Sequence, residues 1–320
     1  MARICVLGGS GFIGRHLCER LTRQGHTLVV PSRRRERAKH LITLPTADVV
    51  QADIHDERVL ERLFQGADAV INLVGVLHSA RGKPYGAQFA RVHVELPRKI
   101  VAACLATKVP RLLHMSALKA APDAPSAYLR SKGDGEAVVV QARGQLATTI
   151  FRPSVVFGAE DNFLNAFARF QAKLPAIALA CPNAQFQPVY VGDVAEVFVR
   201  CLDEEESHGR AYDLVGPKVY NLRELVRFAG EASGHPRPIL GLDDRMSYVL
   251  ARLMEFAPGK PLTADQYYSM RVASTSTSPM PFGVQPTPLE TVAPVYLRGV
   301  YPRSRYSLFR YYAGRKGREV

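Results

Sequence analysis

The feature that most restricts the fold of this chain lies at its start. An apolar run, Arg3–Leu7, leads straight into Gly8-Gly9-Ser10-Gly11-Phe12-Ile13-Gly14, and a helical pattern opens behind it. Glycines at 8, 11 and 14 let the backbone turn tightly, approach a pyrophosphate and hold a helix close against its own strand. The start of that helix offers unpaired N–H groups and a positive dipole end to an anion. Ser10, Phe12 and Ile13, set among the glycines, join Gly8, Gly11 and Gly14 as candidate contacts to the phosphates.

The rest of the chain supports the strand-turn-helix reading. Short apolar runs alternate with longer amphipathic ones over the first two-thirds, the signature of βαβ units and a parallel sheet. The pattern predicts strands at Arg3–Leu7, Thr27–Val30, Ala47–Gln51, Ala69–Leu73, Arg111–Met115 and Thr148–Phe151, with a weaker one at Val189–Val191. Helices are expected at His16–Gln24, Arg58–Phe64, Phe89–Thr107, Ser131–Ala142, Asn162–Lys173, Asn221–Ser233 and Arg245–Phe256, with Asn221 as a cap. Ser274–Pro288, rich in Ser, Thr and Pro, reads as irregular or mobile. The expected fold is α/β: a Rossmann-type doubly wound parallel sheet with a smaller mixed C-terminal lobe. Residues 1–158 would form the core, completed by about 186–215. Residues 159–185 and 216–320 would form the lobe, ending in a basic aromatic tail.

The chain has 320 residues, 47% of them hydrophobic, enough to bury a full core. No stretch approaches the roughly 18 uninterrupted apolar residues of a membrane-spanning helix, and a strand beginning at Arg3 leaves no place for a signal peptide. Cys5, Cys18, Cys104, Cys181 and Cys201 are odd in number and never spaced as C-x-x-C. Neither a disulfide framework nor a metal site is expected, and the reading is a reducing, cytoplasmic protein. The net charge of +13 points to an acidic partner, whether a phosphorylated cofactor, an anionic membrane surface, an acidic protein or nucleic acid.

The end of the second strand discriminates between the two nicotinamide dinucleotides. A carboxylate there accepts bonds from the ribose hydroxyls of NAD(H) and repels a 2′-phosphate. This chain reads Val29-Val30-Pro31-Ser32-Arg33-Arg34-Arg35, with no carboxylate before Glu36. Arg33 or Arg34 could pair with a phosphate and Ser32 could donate to it, so NADP(H) is favoured over NAD(H). The alternative is a solvated basic loop.

Tyr128-Leu129-Arg130-Ser131-Lys132 is a Y-x-x-x-K motif, and Ser116 ends the preceding strand. On a helix, a tyrosine and a lysine four residues apart share a face. A nearby ammonium favours the phenolate and lets a phenol work as an acid or base nearer neutral pH.

The G-x-x-G-x-x-G spacing resembles that of extended or atypical short-chain dehydrogenases. The resemblance implies that Ser116, Tyr128 and Lys132 act as a catalytic set, with Lys132 also on the nicotinamide ribose. It implies that Asp53 and Ile54 meet the adenine and that Leu73, Val74 and Gly75 run along its ribose. Leu73 and Val74 depart from the usual small residues there. Met115 and Pro153-Ser154-Val155 would line the nicotinamide end, and His93 stands where the family often has a proton-relaying asparagine. A histidine could relay protons too, or be a capped or surface group.

A narrower resemblance rests on an ordered set of segments. These are His114-Met115-Ser116-Ala117-Leu118, Tyr128 to Lys132, Arg152-Pro153-Ser154-Val155-Val156-Phe157-Gly158, Glu160 to Ala168, Pro188 to Ala195, and Pro286-Thr287-Pro288-Leu289-Glu290. Together they resemble the NADPH-binding accessory subunits of respiratory complex I and their bacterial relatives, over about residues 1 to 298. Arg271 to Pro279 match least. The resemblance implies a tightly held NADPH that serves structure or assembly, without established turnover.

From Tyr296 to Arg318 the chain interleaves Arg303, Arg305, Arg310, Arg315 and Lys316 with Tyr301, Tyr306, Phe309, Tyr311 and Tyr312. Such mixtures suit anionic lipid interfaces, acidic proteins or nucleic acid, or simply pack on the domain. No nucleic-acid motif accompanies the charge, so none is expected as a partner. Two main readings stand. One is an NADP(H)-binding accessory or assembly protein, associated with complex I or another membrane-associated protein, cytoplasmic or peripheral on the inner face of the membrane. The other is an NADP-dependent epimerase, dehydratase or reductase acting on a nucleotide sugar or small carbonyl, for which Arg152, Arg169 and Lys173 are candidate diphosphate ligands. A redox-sensing regulator is a third.

Overall fold

The computed structural model describes residues 1–298; most of the basic aromatic tail, residues 299–320, lies outside the described residues. Seven strands form one sheet: β1 (Arg3–Leu7), β2 (Thr27–Ser32), β3 (Ala47–Gln51), β4 (Ala69–Asn72), β5 (Arg111–Met115), β6 (Ala147–Pro153) and β7 (Arg210–Leu214). Their order is β7-β6-β5-β4-β1-β2-β3, and every pairing is parallel. The order reverses between β1 and β4, and such a switch point opens a crevice at the carboxyl ends of the strands.

Successive residues of a strand point to opposite faces, and this chain buries both. Ile4 and Val6 of β1 join one core with α1 (Phe12–Arg23) and α6 (Val191–Cys201). Cys5 and Leu7 join a second core with α2 (Glu57–Phe64), α3 (Leu96–Ala106) and α4 (Ala127–Gln141). Apolar residues on both faces explain why these strands read as continuous hydrophobic runs rather than alternations. The fold is therefore the α/β, doubly wound parallel sheet expected.

A smaller mixed lobe is built from α5 (Leu164–Lys173), α7 (Leu222–Ser233), α8 (Asp244–Met254), α9 (Ala264–Met270) and α10 (Leu289–Leu297) with short two-stranded pairings. Helix α7 is capped as its sequence suggests. Asn221 Oδ1 accepts from Glu224 N–H and Glu224 Oε2 from Asn221 N–H, both at 2.8 Å. Gly234 then ends it with φ +79°.

Some elements differ from the sequence expectation. Val189–Tyr190 does not join the main sheet; it pairs only with Val156–Phe157. The seventh strand is Arg210–Leu214, whose mixed composition suits an edge position with one neighbour. Helices α6, α9 and α10 were not legible as such. The segment from Ser274 to Pro288 is irregular apart from a turn at Pro281–Gly283, yet it is tied down. Ser274 bridges to Phe186, Ser276 Oγ donates to Asp213 at 2.7 Å, and Asp193 accepts Thr287 N–H and Oγ–H at 2.6 and 2.9 Å.

Two histidines, His93 and His114, are buried near the carboxyl edge of the sheet at 2% and 3% exposure. Asn72 Nδ2 meets His114 Nδ1 at 3.1 Å across β4 and β5. Burial, reinforced by the nearby Lys132 ammonium, lowers His93 to about 2 and His114 to about 3. A folded-state value below the unfolded one means that the stabilisation is present above about pH 6.5 and is lost as pH falls. Each histidine then costs up to about 1.4 kcal/mol per pH unit. Urea unfolding should show stability dropping by about 2 kcal/mol between pH 6 and pH 5 from these two groups, with a shallower slope in His93→Asn and His114→Asn. Identical slopes in both variants and the wild type would contradict this account.

Candidate functional site

The glycine turn closes as its sequence demands. Gly8 takes φ +81°, and its carbonyl accepts Gly11 N–H at 2.9 Å. A Cβ at Gly14 would stand 2.4 Å from the Gly8 carbonyl oxygen and 2.5 Å from Gly9 Cα, so only glycine lets α1 sit on the turn. A Cβ at Gly8 would meet the backbone of Leu73 at 3.2 Å. Helix α1 begins at Phe12, four residues ahead of the expected start, with Gly11 as its N-cap. No side chain caps it and its first turn carries no acid, which leaves those amides and the helix dipole to an anion. The Phe12 ring packs close to Gly158, where a Cβ would meet it at 3.1 Å.

Beyond β2, Arg33 and Arg34 are exposed, and neither forms an ion pair among the described residues. Ser32 Oγ donates to the Arg34 carbonyl at 2.9 Å and so shapes this loop. Asp53 is exposed and its Oδ1 accepts His55 N–H at 3.0 Å, with Ile54 half-buried between them. His55 titrates below its ordinary value because of burial first, then the positive charge of Arg91, with Lys99 and Arg33 adding to it. The segment after β4 runs beside the turn: Leu73 N–H donates to the Leu7 carbonyl at 2.9 Å and Val74 N–H to Asn72 Oδ1 at 3.1 Å.

The other end of the crevice is built by β5 and α4. Ser126 caps α4 by accepting Leu129 N–H at 3.1 Å, which starts the helix before Tyr128 and sets Lys132 one turn further on. Lys132 Nζ donates to the Met115 carbonyl at 2.8 Å, and a Cβ on Gly75 would lie 3.8 Å from it. Burial pushes this ammonium down to about 8, against the pull of Glu136. Tyr128 is half-buried with its ring edge-on to Phe89 and His93, at centroid distances of 6.0 and 5.6 Å. Desolvation pushes its phenol up to about 12. Ser116 is 3% exposed, and its hydroxyl is buried with no hydrogen-bond partner. A buried hydroxyl left unpaired is a cost that a bound oxygen or amide would relieve.

The structure settles His93. Val76 N–H donates to Nε2 at 3.1 Å, so Nδ1 carries the proton and donates to Ser131 Oγ at 2.9 Å. Ser131 Oγ–H in turn donates to the Tyr128 carbonyl at 2.8 Å. Both ring nitrogens are engaged and the ring is neutral, so His93 supports the backbone on either side of the crevice and relays nothing. Arg152 is likewise engaged, held in a bidentate pair by Glu136. Arg169 and Lys173 are exposed on α5.

Met115, Pro153, Ser154 and Val155 do lie together, with backbone bonds knitting β5, β6 and the next strand: Leu118 N–H to the Pro153 carbonyl and Val189 N–H to the Val155 carbonyl, both at 3.0 Å. Ser154 Oγ is bonded to the Ser274 carbonyl at 2.8 Å, a partner the sequence gave no sign of. A cavity of about 370 Å³ lined by Arg143, Gly144, Gln145 and His208 lies at the amino ends of β6 and β7, the opposite edge of the sheet from the crevice.

Comparison with known proteins agrees with this geometry. Residues 4–221 match the NAD dependent epimerase/dehydratase family. The mitochondrial NADH dehydrogenase (ubiquinone) 1 alpha subcomplex subunit 9 of Mus musculus is 29% identical over 301 residues, 89% of this chain and 77% of its own length. Its counterpart from Rattus norvegicus is 30% identical over 300 residues, with the same coverage. In structure, DesIV, the dTDP-glucose 4,6-dehydratase of Streptomyces venezuelae, superposes with a TM-score of 0.75 at 17% identity, covering 97% of this chain and 98% of that one. The chain belongs to the NAD dependent epimerase/dehydratase family and, within it, is a homologue of that NADH dehydrogenase subunit.

Proposed function

We propose that this protein holds NADP(H) in the crevice and serves as an accessory or assembly subunit of respiratory complex I; its match to an NADH dehydrogenase subunit supports the second part of that reading. The observation that carries the cofactor choice is the basic end of β2. It has two exposed arginines without acidic partners among the described residues and no carboxylate before Glu36, beside a turn whose glycines leave room for a pyrophosphate. The residues present fit the group: a cradle that a Cβ would fill, an uncapped helix start, and an unpaired buried hydroxyl at the far end.

In this reading Gly8, Ser10, Gly11, Phe12, Ile13 and Gly14 bind the pyrophosphate through backbone groups. Arg33 and Arg34 hold the 2′-phosphate, and Asp53 with Ile54 borders the adenine. Leu73, Val74 and Gly75 lie along its ribose. Lys132 takes the nicotinamide ribose, while Met115 and Pro153 to Val155 wall the ring. The bound nucleotide supplies a hydride donor or acceptor; the protein's own groups bind, orient and exclude water. The core would span 1–158 with 186–215. The lobe of 159–185 and 216–320, with its basic tail, would face partners at the inner side of a membrane. No helix among the described residues is long and apolar enough to cross one.

The unpaired Ser116 hydroxyl favours a second reading, an epimerase, dehydratase or reductase in which Ser116 holds a substrate oxygen and Tyr128 moves a proton at its phenol oxygen. Native followed by denaturing mass spectrometry separates the two. Stoichiometric NADP(H) that survives dialysis supports the accessory role, and an empty, weakly binding site supports the enzyme. Bound NAD(H) would overturn the choice of dinucleotide.

Two variants sharpen the test. A charge-assisted bond is worth about 1.5–3 kcal/mol, so Arg33→Glu with Arg34→Glu should weaken NADPH by about 10- to 100-fold. Affinity for NADH should change little, and equal losses for both would refute the 2′-phosphate assignment. Tyr128→Phe should leave nucleotide retention intact in an accessory subunit, whereas in an enzyme loss of the proton-transfer group should cut turnover by about 10² or more.

A further inference from the structure

The first turn of α4 is held from outside the sheet domain. Asp265, in the first turn of α9, accepts Ala127 N–H on Oδ1 at 2.6 Å and Tyr128 N–H on Oδ2 at 3.0 Å. The two ends of this contact are 138 and 137 residues apart in sequence. Ser126 already caps the helix through Leu129 N–H, so the helix has its side-chain cap without Asp265. What the carboxylate adds is placement. Two oxygens on two successive amides fix both the position and the rotation of the turn that carries the phenol, which one bond would not.

Asp265 is itself firmly held. Thr263 and Gln266 form a capping box around it, and Glu255 accepts Ala264 N–H at 3.0 Å. The same Glu255 takes Arg81 at 2.8 Å, from the connection that follows Gly75. Three segments therefore meet here: the chain after β4, the start of α4 and the C-terminal lobe. Tyr128 has few other restraints. Its ring touches Phe89 and His93 edge-on, and its phenol forms no hydrogen bond among the described residues, so its pose follows from its backbone.

We infer that Asp265 is a positioning residue for Tyr128, and that through it the C-terminal lobe sets the geometry of the phenol-amine end of the crevice. The inference rests on the reading that Tyr128 faces the nucleotide. It gives the lobe a role beyond contact with partners, because a shift of α9 moves the first turn of α4 with it.

The test is made on the full chain labelled with ring-¹³C tyrosine, without nucleotide, with the Tyr128 resonance assigned from Tyr128→Phe. In Asp265→Ala the Tyr128 ring signal should shift or broaden as its ring-current environment from His93 and Phe89 changes. Tyr220 and Tyr296, buried in the lobe, should keep their positions and report that the fold is intact. Asp265→Asn, which retains one acceptor oxygen, should give a smaller shift. An unmoved Tyr128 signal in Asp265→Ala overturns the inference, as does movement of Tyr220 and Tyr296 to the same extent, which would mark Asp265 as a general support of the lobe. NADPH affinity is then measured, with a loss of about fivefold expected in Asp265→Ala, within the range of couplings between contacting groups. A wild type that binds no NADP(H) would refute the cofactor reading alone, because the tyrosine signals decide on Asp265 without it.

Discussion

The contact between Gly14 and the Gly8 carbonyl is the constraint on which the rest of the architecture depends. With no Cβ at 14, α1 starts at Phe12 and lies directly on the turn that leaves β1. That places α1 against α6 on one face of the sheet. It also leaves the amides of the first helical turn pointing into the gap where β1 and β4 part. Any larger residue at 14 would drive the helix off the strand, opening the first core and removing the anion site in one step. Fold and binding site are thus set by the same few atoms.

The crevice joins two unlike environments. At the β2 end, exposed arginines meet solvent and gain little from one another, so they are available to a phosphate. At the β5 end, burial dominates: two histidines are held neutral beside an ammonium, and that ammonium is bound to a backbone carbonyl. His93 is the joint between elements, since its two nitrogens tie Val76 to Ser131. A protonated histidine there would place a second positive charge beside Lys132, in a site with little water to screen it. Neutrality of His93 is therefore a condition for keeping Lys132 charged.

Much of this was legible in the sequence because it is local. The strand-glycine-helix order, the β2 arginines and the Tyr128–Lys132 spacing each lie within about a dozen residues, and the structure keeps each as a local unit. Long-range partners were not legible. Nothing in Arg210–Leu214 marks it as the seventh strand, because an edge strand with one neighbour needs no continuous apolar run. Nothing near Ser274, Thr287 or Asp265 says that these bond to Ser154, Asp193 and Tyr128. His93 could be read as a relay or as a capped residue, and only its two partners decide. Arg152 looked available for a phosphate until Glu136, one turn beyond Lys132, was found beside it.

The chemistry of Tyr128 separates holding a nucleotide from turning over a substrate. A phenol used as a base must titrate nearer to neutrality, yet burial here moves it up to about 12 while Lys132 is drawn down to about 8. Both shifts have the same cause, loss of water, and both weaken the help that an ammonium gives a phenolate. Added positive charge, or hydrogen bonds donated to the phenolate, would reverse the phenol's shift. Binding requires none of this: a neutral phenol and a charged lysine, each fixed in place, are already suitable donors to a ribose. As proposed, the arrangement would hold a nucleotide as it stands, whereas proton transfer by Tyr128 would need charge or hydrogen bonds that favour its phenolate. Under the proposed accessory role, this arrangement favours keeping a nucleotide over turning over a substrate.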